Sequence, residues 1–138
     1  MTAGFELELH VPDPPDVVWA RLWDLDRHTA SVPLTRVAGR VGPGERFVAR
    51  TSVGPLGFDD VMVVRSWEPP RRAVVDKVGR VLAGRIEVDV VPDGPGTVVR
   101  WRQEYGAPLV PDRVAALGAP LVRSGYRRSL ARIVGAAT

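Results

Sequence analysis

The sequence predicts an α+β fold in which one curved antiparallel sheet is covered by a long C-terminal helix. Three observations carry this expectation. From Arg36 to Tyr105, short segments rich in Val, Phe and Trp follow one another between Gly/Pro turns, as consecutive strands do. Only Pro111 to Gly135 shows long helical periodicity. Val122, Tyr126, Leu130 and Ile133 form one stripe there, continued upstream by Ala115, Gly118 and Ala119. A sheet with one apolar face needs a cover, and this helix is the segment that can supply it.

The elements follow in order. Phe5, Leu7 and Leu9 alternate with Glu6, Glu8 and His10, which predicts a half-buried strand from Gly4 to Val11. Asp13 is the expected cap of a first helix, with Pro14 at its first position. Val18, Trp19, Leu22 and Trp23 form its apolar face. A second short helix is expected from Asp26 and is ended by Pro33. Strands then read as Leu34 to Gly39, Arg46 to Val53, Phe58 to Trp67, Arg71 to Lys77, Val81 to Val91 and Thr97 to Tyr105, with GPLG and PDGPG as tight turns. Ile86, Val88 and Val90 share an inner face, as do Phe47, Ala49, Thr51 and Val53. Trp101 points inward and Arg100 and Arg102 outward. The stretch DDVMVVRSW does not alternate cleanly, so a bulge is possible and its faces stay open.

The totals fit one domain over residues 1–138. Apolar residues make up 45% and charged residues 25%, which is ordinary for a globular chain. The absence of cysteine removes disulfides and thiolate metal sites. With Glu6, Glu8 and Asp13 near the start and no apolar run of membrane-spanning length, a cytoplasmic protein without integral membrane association is expected. Basic residues are 18 arginines and one lysine, a drift expected of a GC-rich genome. Residues 109–138 hold five basic groups and one acidic group. Their arginines, Arg123, Arg127, Arg128 and Arg132, read as a solvated helix face, because no aromatics interleave with them and no nucleic-acid motif accompanies them.

The order of strand, two short helices, six consecutive strands and long helix resembles the START/Bet v 1-like (SRPBCC) superfamily. That superfamily has the helix-grip fold and contains polyketide cyclases and dehydrases, lipid-transfer domains and plant pathogenesis-related allergens. The likeness lies in DPPDVVWARLWDLDRHTASVP, VGPGERF, WEPPRRAVV and GTVVRW, and it spans nearly the whole chain. It implies a sheet of six to seven strands and an apolar cavity between sheet and helix, holding a hydrophobic or aromatic ligand. The implied lining is Phe47, Ala49, Val88, Val99, Trp101 and Gln103 from strands, with Val122 and Tyr126 from the helix. A sheet about 30 Å across and a helix about 37 Å long are dimensionally compatible.

Chemistry-bearing residues are few. His10 and His28 cannot build a histidine-rich metal site, and no metal or cofactor is expected. Asp59 and Asp60 are adjacent in a strand and point to opposite faces, so they read as solubilising charge rather than a carboxylate pair. His28, Gln103 and Tyr126 are the candidate catalytic groups, although a helix-end role is favoured for His28. Three functions compete: a binder or carrier of a small hydrophobic molecule, a polyketide cyclase or dehydratase-type enzyme, and a protein-interaction module. Oligomeric state is not legible. Pro120 predicts a kink in the terminal helix, making it a two-part lid in which Val110 to Pro120 form the movable or cavity-bordering half and Val122 to Val134 pack on the sheet.

Overall fold

The structure, a computed structural model, describes residues 3–80, 82–106 and 112–136. The chain runs β1 (Ala3–Val11), α1 (Pro15–Leu22), α2 (Leu25–Ser31), β2 (Thr35–Gly39), β3 (Arg46–Val53), β4 (Leu56–Glu68), β5 (Arg72–Val78), β6 (Ala83–Asp93), β7 (Gly96–Gly106) and α3 (Asp112–Val134). Seven antiparallel strands form one sheet in the order β1-β7-β6-β5-β4-β3-β2. With α3 across its inner face, this is the expected helix-grip architecture. The strand expected from Val81 begins at Ala83, and Val81 itself lies outside the described residues.

Two hairpins share one turn chemistry. Gly54-Pro55 joins β3 to β4 and Gly94-Pro95 joins β6 to β7. The glycines have φ of 58° and 57°, which suits the first position of a two-residue hairpin turn. The tight turn expected over GPLG is therefore only Gly54-Pro55, and Leu56 already belongs to β4.

Strand alternation places Phe5, Leu7, Leu9 and Val11 of β1 in the core with Val88, Val90, Val99 and Trp101. In β4 the register slips between Val64 and Ser66. This bulge turns Trp67, rather than Ser66, onto the same side as Val64. There the Trp67 ring lies 5.0 Å from that of Trp19 and 5.3 Å from that of Trp23, both contributed by the first helical segment. The tryptophans, with fully buried Val18, Leu22, Ile133 and Val134, fill one end of the inner face.

The helix ends differ from expectation. Pro14, not Asp13, stands at the N-cap of α1, and Pro15 takes the first helical position. Asp13 instead pairs with Arg21 at 2.6 Å. For α2 the cap is Asp24, whose carboxylate accepts from the Asp26 and Arg27 amides at 3.1 and 3.4 Å. Asp26 sits within the first turn, where its charge still favours the helix dipole.

Helix α3 is continuous from Asp112 to Val134, with Pro120 inside it. The side chains of Ala115 and Ala119, and all of Val110, lie outside the described residues. Arg123 and Arg127 remain exposed, but they are not merely solvated. They donate to the Glu6 and Glu8 carbonyls of edge strand β1 at 3.0 and 3.2 Å, occupying a sheet edge that would otherwise be open to pairing. At the C-terminus of α3, the Ile133 and Val134 carbonyls accept from Arg27 and Arg21 at 2.9 and 3.0 Å. The cations that satisfy this helix end thus come from α2 and α1.

The outer sheet face is laced with cross-strand ion pairs, among them Arg72–Asp89 at 3.0 Å, Arg102–Glu87 at 3.4 Å and Arg100–Glu8 at 3.0 Å. Individually such pairs stabilise by less than about 1 kcal/mol. Their effect is a charge-balanced surface. Two shallow concavities there, of about 460 and 450 Å³, are walled largely by these same charges. Among the described residues no helix is long and apolar enough to cross a membrane, and no group of acidic and histidine side chains could hold a metal ion.

Candidate functional cavity

The end of the inner face not filled by α1 forms a cavity of about 520 Å³, bordered by β2 to β7, α2 and α3. Its wall is mostly apolar and aromatic. Of the residues expected to line it, Phe47, Ala49, Trp101, Val122 and Tyr126 stand on the wall. Val88 and Val99 do not. Both are fully buried, at the end of the inner face that the first helix covers. Gln103 is also displaced from the wall, standing behind Tyr126 and joined to it by a hydrogen bond. Among the described residues, the part of α3 that borders the cavity runs from Val122 to Ile133. That is the half expected to pack on the sheet, and it carries the two expected lining residues of the helix, Val122 and Tyr126. Leu117, from the half expected to form a lid, is more than four-fifths exposed at 82%, as is Leu121 just beyond that half at 81%.

One polar part of the wall is buried. In β5, Ala73, Val75 and Lys77 alternate inward, and Lys77 stands opposite Met62 of β4. Two residues before Met62 and on the same face lies Asp60, so a diagonal cross-strand approach brings the two charges together. The Lys77 ammonium donates to Asp60 Oδ2 and reaches the Tyr126 hydroxyl at 3.4 Å. Side-chain exposure is 3% for Lys77 and 9% for Asp60, so the pair is removed from solvent. Burial alone would lower the Lys77 ammonium's pKa; the Tyr126 oxygen and Asp60 carboxylate oppose this and hold it above its ordinary range.

A hydrogen-bonded chain orients this cluster from behind. Trp101 Nε1 donates to Gln103 Oε1 at 3.0 Å, and Gln103 Nε2 donates to the Tyr126 hydroxyl at 3.2 Å. Because indole can only donate, the Gln103 amide is held with its oxygen toward Trp101 and its nitrogen toward Tyr126. The Tyr126 oxygen therefore accepts from both Gln103 and Lys77, which leaves its O–H as a donor. Asp60 Oδ1 is buried and has no hydrogen-bond partner among the described residues, and the same is true of Nε1 of Trp23, another residue of the wall.

His28 reaches the wall from α2. Its Nε2–H donates to the Leu22 carbonyl at 2.5 Å, tying α2 to the end of α1. Burial lowers its pKa below the ordinary 6.5, against the opposing effects of the Leu22 carbonyl and Asp24. The folded imidazole thus resists a proton that the unfolded one accepts. Stability from this group is complete above pH 6.5 and declines as pH falls below it. Urea midpoints at about pH 7.5 and about pH 5.5 should therefore separate in the wild type and converge in His28→Gln. Equal separation in both proteins would remove His28 as the cause.

Comparison with known proteins places this geometry. Residues 2–138 match the family described as polyketide cyclase/dehydrase and lipid transport. The chain belongs to that family. Among solved structures, the Mll3558 protein from Rhizobium loti superposes with a TM-score of 0.77 at 20% identity, covering 98% of this chain and 96% of that one. The di-domain ARO/CYC StfQ from the steffimycin biosynthetic pathway gives 0.75 at 15% identity over 98% of this chain and 50% of that one. The Zhui aromatase/cyclase from Streptomyces sp. R1128 gives 0.71 at 15% identity over 98% and 93%. At these identities the likeness is one of fold. No curated protein matches the sequence.

For this member of the polyketide cyclase/dehydrase and lipid transport family, sequence reasoning missed both members of the buried ion pair on the cavity wall. Asp60 was expected to be solubilising charge. That description fits Asp59, which is exposed and pairs with Arg50 at 3.2 Å. Lys77 received no role, yet it is the single lysine beside 18 arginines. A lone lysine, in phase with Ala73 and Val75, is the signal that could have found it.

Proposed function

We propose that this protein binds a small, largely apolar or aromatic molecule in the cavity between its sheet and α3. The observation that carries this reading is a cavity of about 520 Å³, within the usual size range of ligand sites. Its wall of Phe47, Met62, Val75, Ile86 and Trp101 also carries the buried Asp60–Lys77–Tyr126 cluster, with His28, Arg128 and Arg132 elsewhere on it. Membership of a family described by cyclisation, dehydration and lipid transport supports the same reading. A flat ring could lie against Trp101 and Phe47, with Tyr126 beside it.

The test is saturable binding of 2-methylnaphthalene to delipidated protein, followed by tryptophan fluorescence. One equivalent should bind, and Ala49→Trp, which fills part of the cavity from β3, should weaken binding by at least about tenfold while keeping a cooperative unfolding transition. If neither this probe nor native mass spectrometry of lipid-extracted protein revealed a cavity ligand, the proposal would fail.

The buried Asp60–Lys77–Tyr126 cluster favours a second reading, an enzyme of the cyclase or dehydratase type. A carboxylate with a free oxygen beside an ammonium and a phenol could move a proton within a bound poly-ketone chain. The StfQ and Zhui proteins are named as aromatase/cyclases, which is compatible with that chemistry on this fold. Of the candidates suggested by sequence, His28 already uses Nε2 structurally and Gln103 acts through Tyr126. The catalytic reading therefore rests on Asp60 and Lys77. Loss of turnover in Asp60→Asn, on a supplied poly-ketone, would support it. Undiminished turnover would refute it.

A further inference from the structure

The hydrogen-bonding state of the polar cluster narrows the ligand class, and the following rests on the reading that the cavity binds an apolar molecule. We infer that the cavity selects an apolar ligand ending in a neutral hydroxyl or phenol, which donates to Asp60 Oδ1 and accepts from Tyr126 O–H.

Asp60 is one of the residues lining the cavity; its Oδ2 is occupied by Lys77, whereas its Oδ1 is buried without a partner among the described residues. An ionised carboxylate only accepts, so the missing partner must be a donor. A ketone or ester, which only accepts, would leave this oxygen unsatisfied. Leaving a charged acceptor buried and unpaired is costly. The Tyr126 oxygen is already filled by Lys77 and Gln103, so its proton is the donor available to a ligand acceptor. One ligand oxygen that both donates and accepts meets both requirements.

Charge narrows the choice further. Lys77 and Asp60 together are neutral and almost solvent-free, with side-chain exposures of 3% and 9%. A carboxylate ligand would bring an uncompensated negative charge beside Asp60, and an ammonium would bring a positive one beside Lys77. Either arrangement is penalised in a desolvated site. The exposed guanidiniums of Arg128 and Arg132 are also on the cavity wall, and they are the alternative recognition point for an anion.

The test compares four probes of one ring system: 2-naphthol, 2-methylnaphthalene, 2-acetonaphthone and 2-naphthoate. The naphthol is expected to bind at least about tenfold more tightly than each of the others, because a site built for a hydroxyl rejects analogues lacking it. The preference should disappear in the Asp60→Asn/Lys77→Met double variant, which removes both charges together. Should that variant not fold, Tyr126→Phe keeps the ion pair and should still reduce the naphthol preference severalfold.

Because Lys77 is the only lysine, selective ¹⁵N-lysine labelling gives a single side-chain ammonium resonance. 2-Naphthol should shift it more than 2-methylnaphthalene does. Four probes of equal affinity would overturn the hydroxyl assignment while leaving the cavity reading intact. Tightest binding by 2-naphthoate would overturn it in favour of an anion site. Saturable binding by none of the four would remove both readings.

Discussion

Lys77→Met is expected to destabilise the fold by about 3–5 kcal/mol, the largest effect of any single polar substitution in the cavity. The reason lies in what remains. With the ammonium gone, the Asp60 carboxylate stays on a nearly solvent-free wall with neither oxygen held by a cation. The Tyr126 hydroxyl loses one of its two donors as well. Removing both charges should behave differently. Asp60→Leu with Lys77→Met replaces the ion pair by apolar groups in contact with Met62, Val75 and Ile86. Such replacements are often neutral or stabilising, so the double variant should recover to within about 1 kcal/mol of wild type or exceed it. Urea denaturation of the four proteins of this cycle gives the coupling directly. If Lys77→Met alone lowered stability by less than about 1 kcal/mol, the pair would be behaving as a solvated surface bridge. It would then be a poor basis for ligand recognition.

That pair also shows where sequence reasoning stops. The sheet was legible because alternation and turn chemistry act locally: Phe47 and Trp101 point inward and Arg100 and Arg102 outward, as their strands' periodicity requires. Asp60 was not legible, because its face depends on a bulge. Counting back in twos from inward-facing Trp67 leads to Asp59, and only the register slip between Val64 and Ser66 transfers the inward position to Asp60. Lys77 keeps phase with Ala73 and Val75, but a lysine in a strand is ordinarily assigned to the wet side. Val88 and Val99 failed as lining residues for a different reason. Their face was right, yet which end of that face lies open depends on where α1 docks, and no local pattern encodes that. The arginines of α3 are a similar case. Their exposure follows from helical period, whereas the contacts of Arg123 and Arg127 with β1 require knowing that β1 forms the sheet edge.

Gly84→Ala is expected to be as damaging as any core truncation, and it bears on the same end of the cavity. Gly84 lies between Lys77 of β5 and Tyr105 of β7, at a φ of 145°. A Cβ placed there would meet the Glu104 carbonyl oxygen at 1.9 Å and Tyr105 Cα at 2.8 Å. Both are backbone atoms of the neighbouring strand, so no side-chain rotation relieves the overlap. β6 must instead move away from β7 where Lys77 and Gln103 are aligned on Tyr126. Gly94→Ala provides the control. Its φ of 57° is also positive, but a Cβ there meets nothing within 4 Å, so it carries only the conformational penalty of about 1 kcal/mol. Gly84→Ala adds displacement of two paired strands and should lower stability by about 3 kcal/mol or more. In surviving folded protein it should also reduce discrimination between 2-naphthol and 2-methylnaphthalene, since the donors and acceptors of the cluster would no longer converge. Equal losses of stability in the two glycine variants would mean that β6 and β7 do not approach this closely. Discrimination preserved alongside a large stability loss would confine the damage to the strand ends and separate Gly84 from the site.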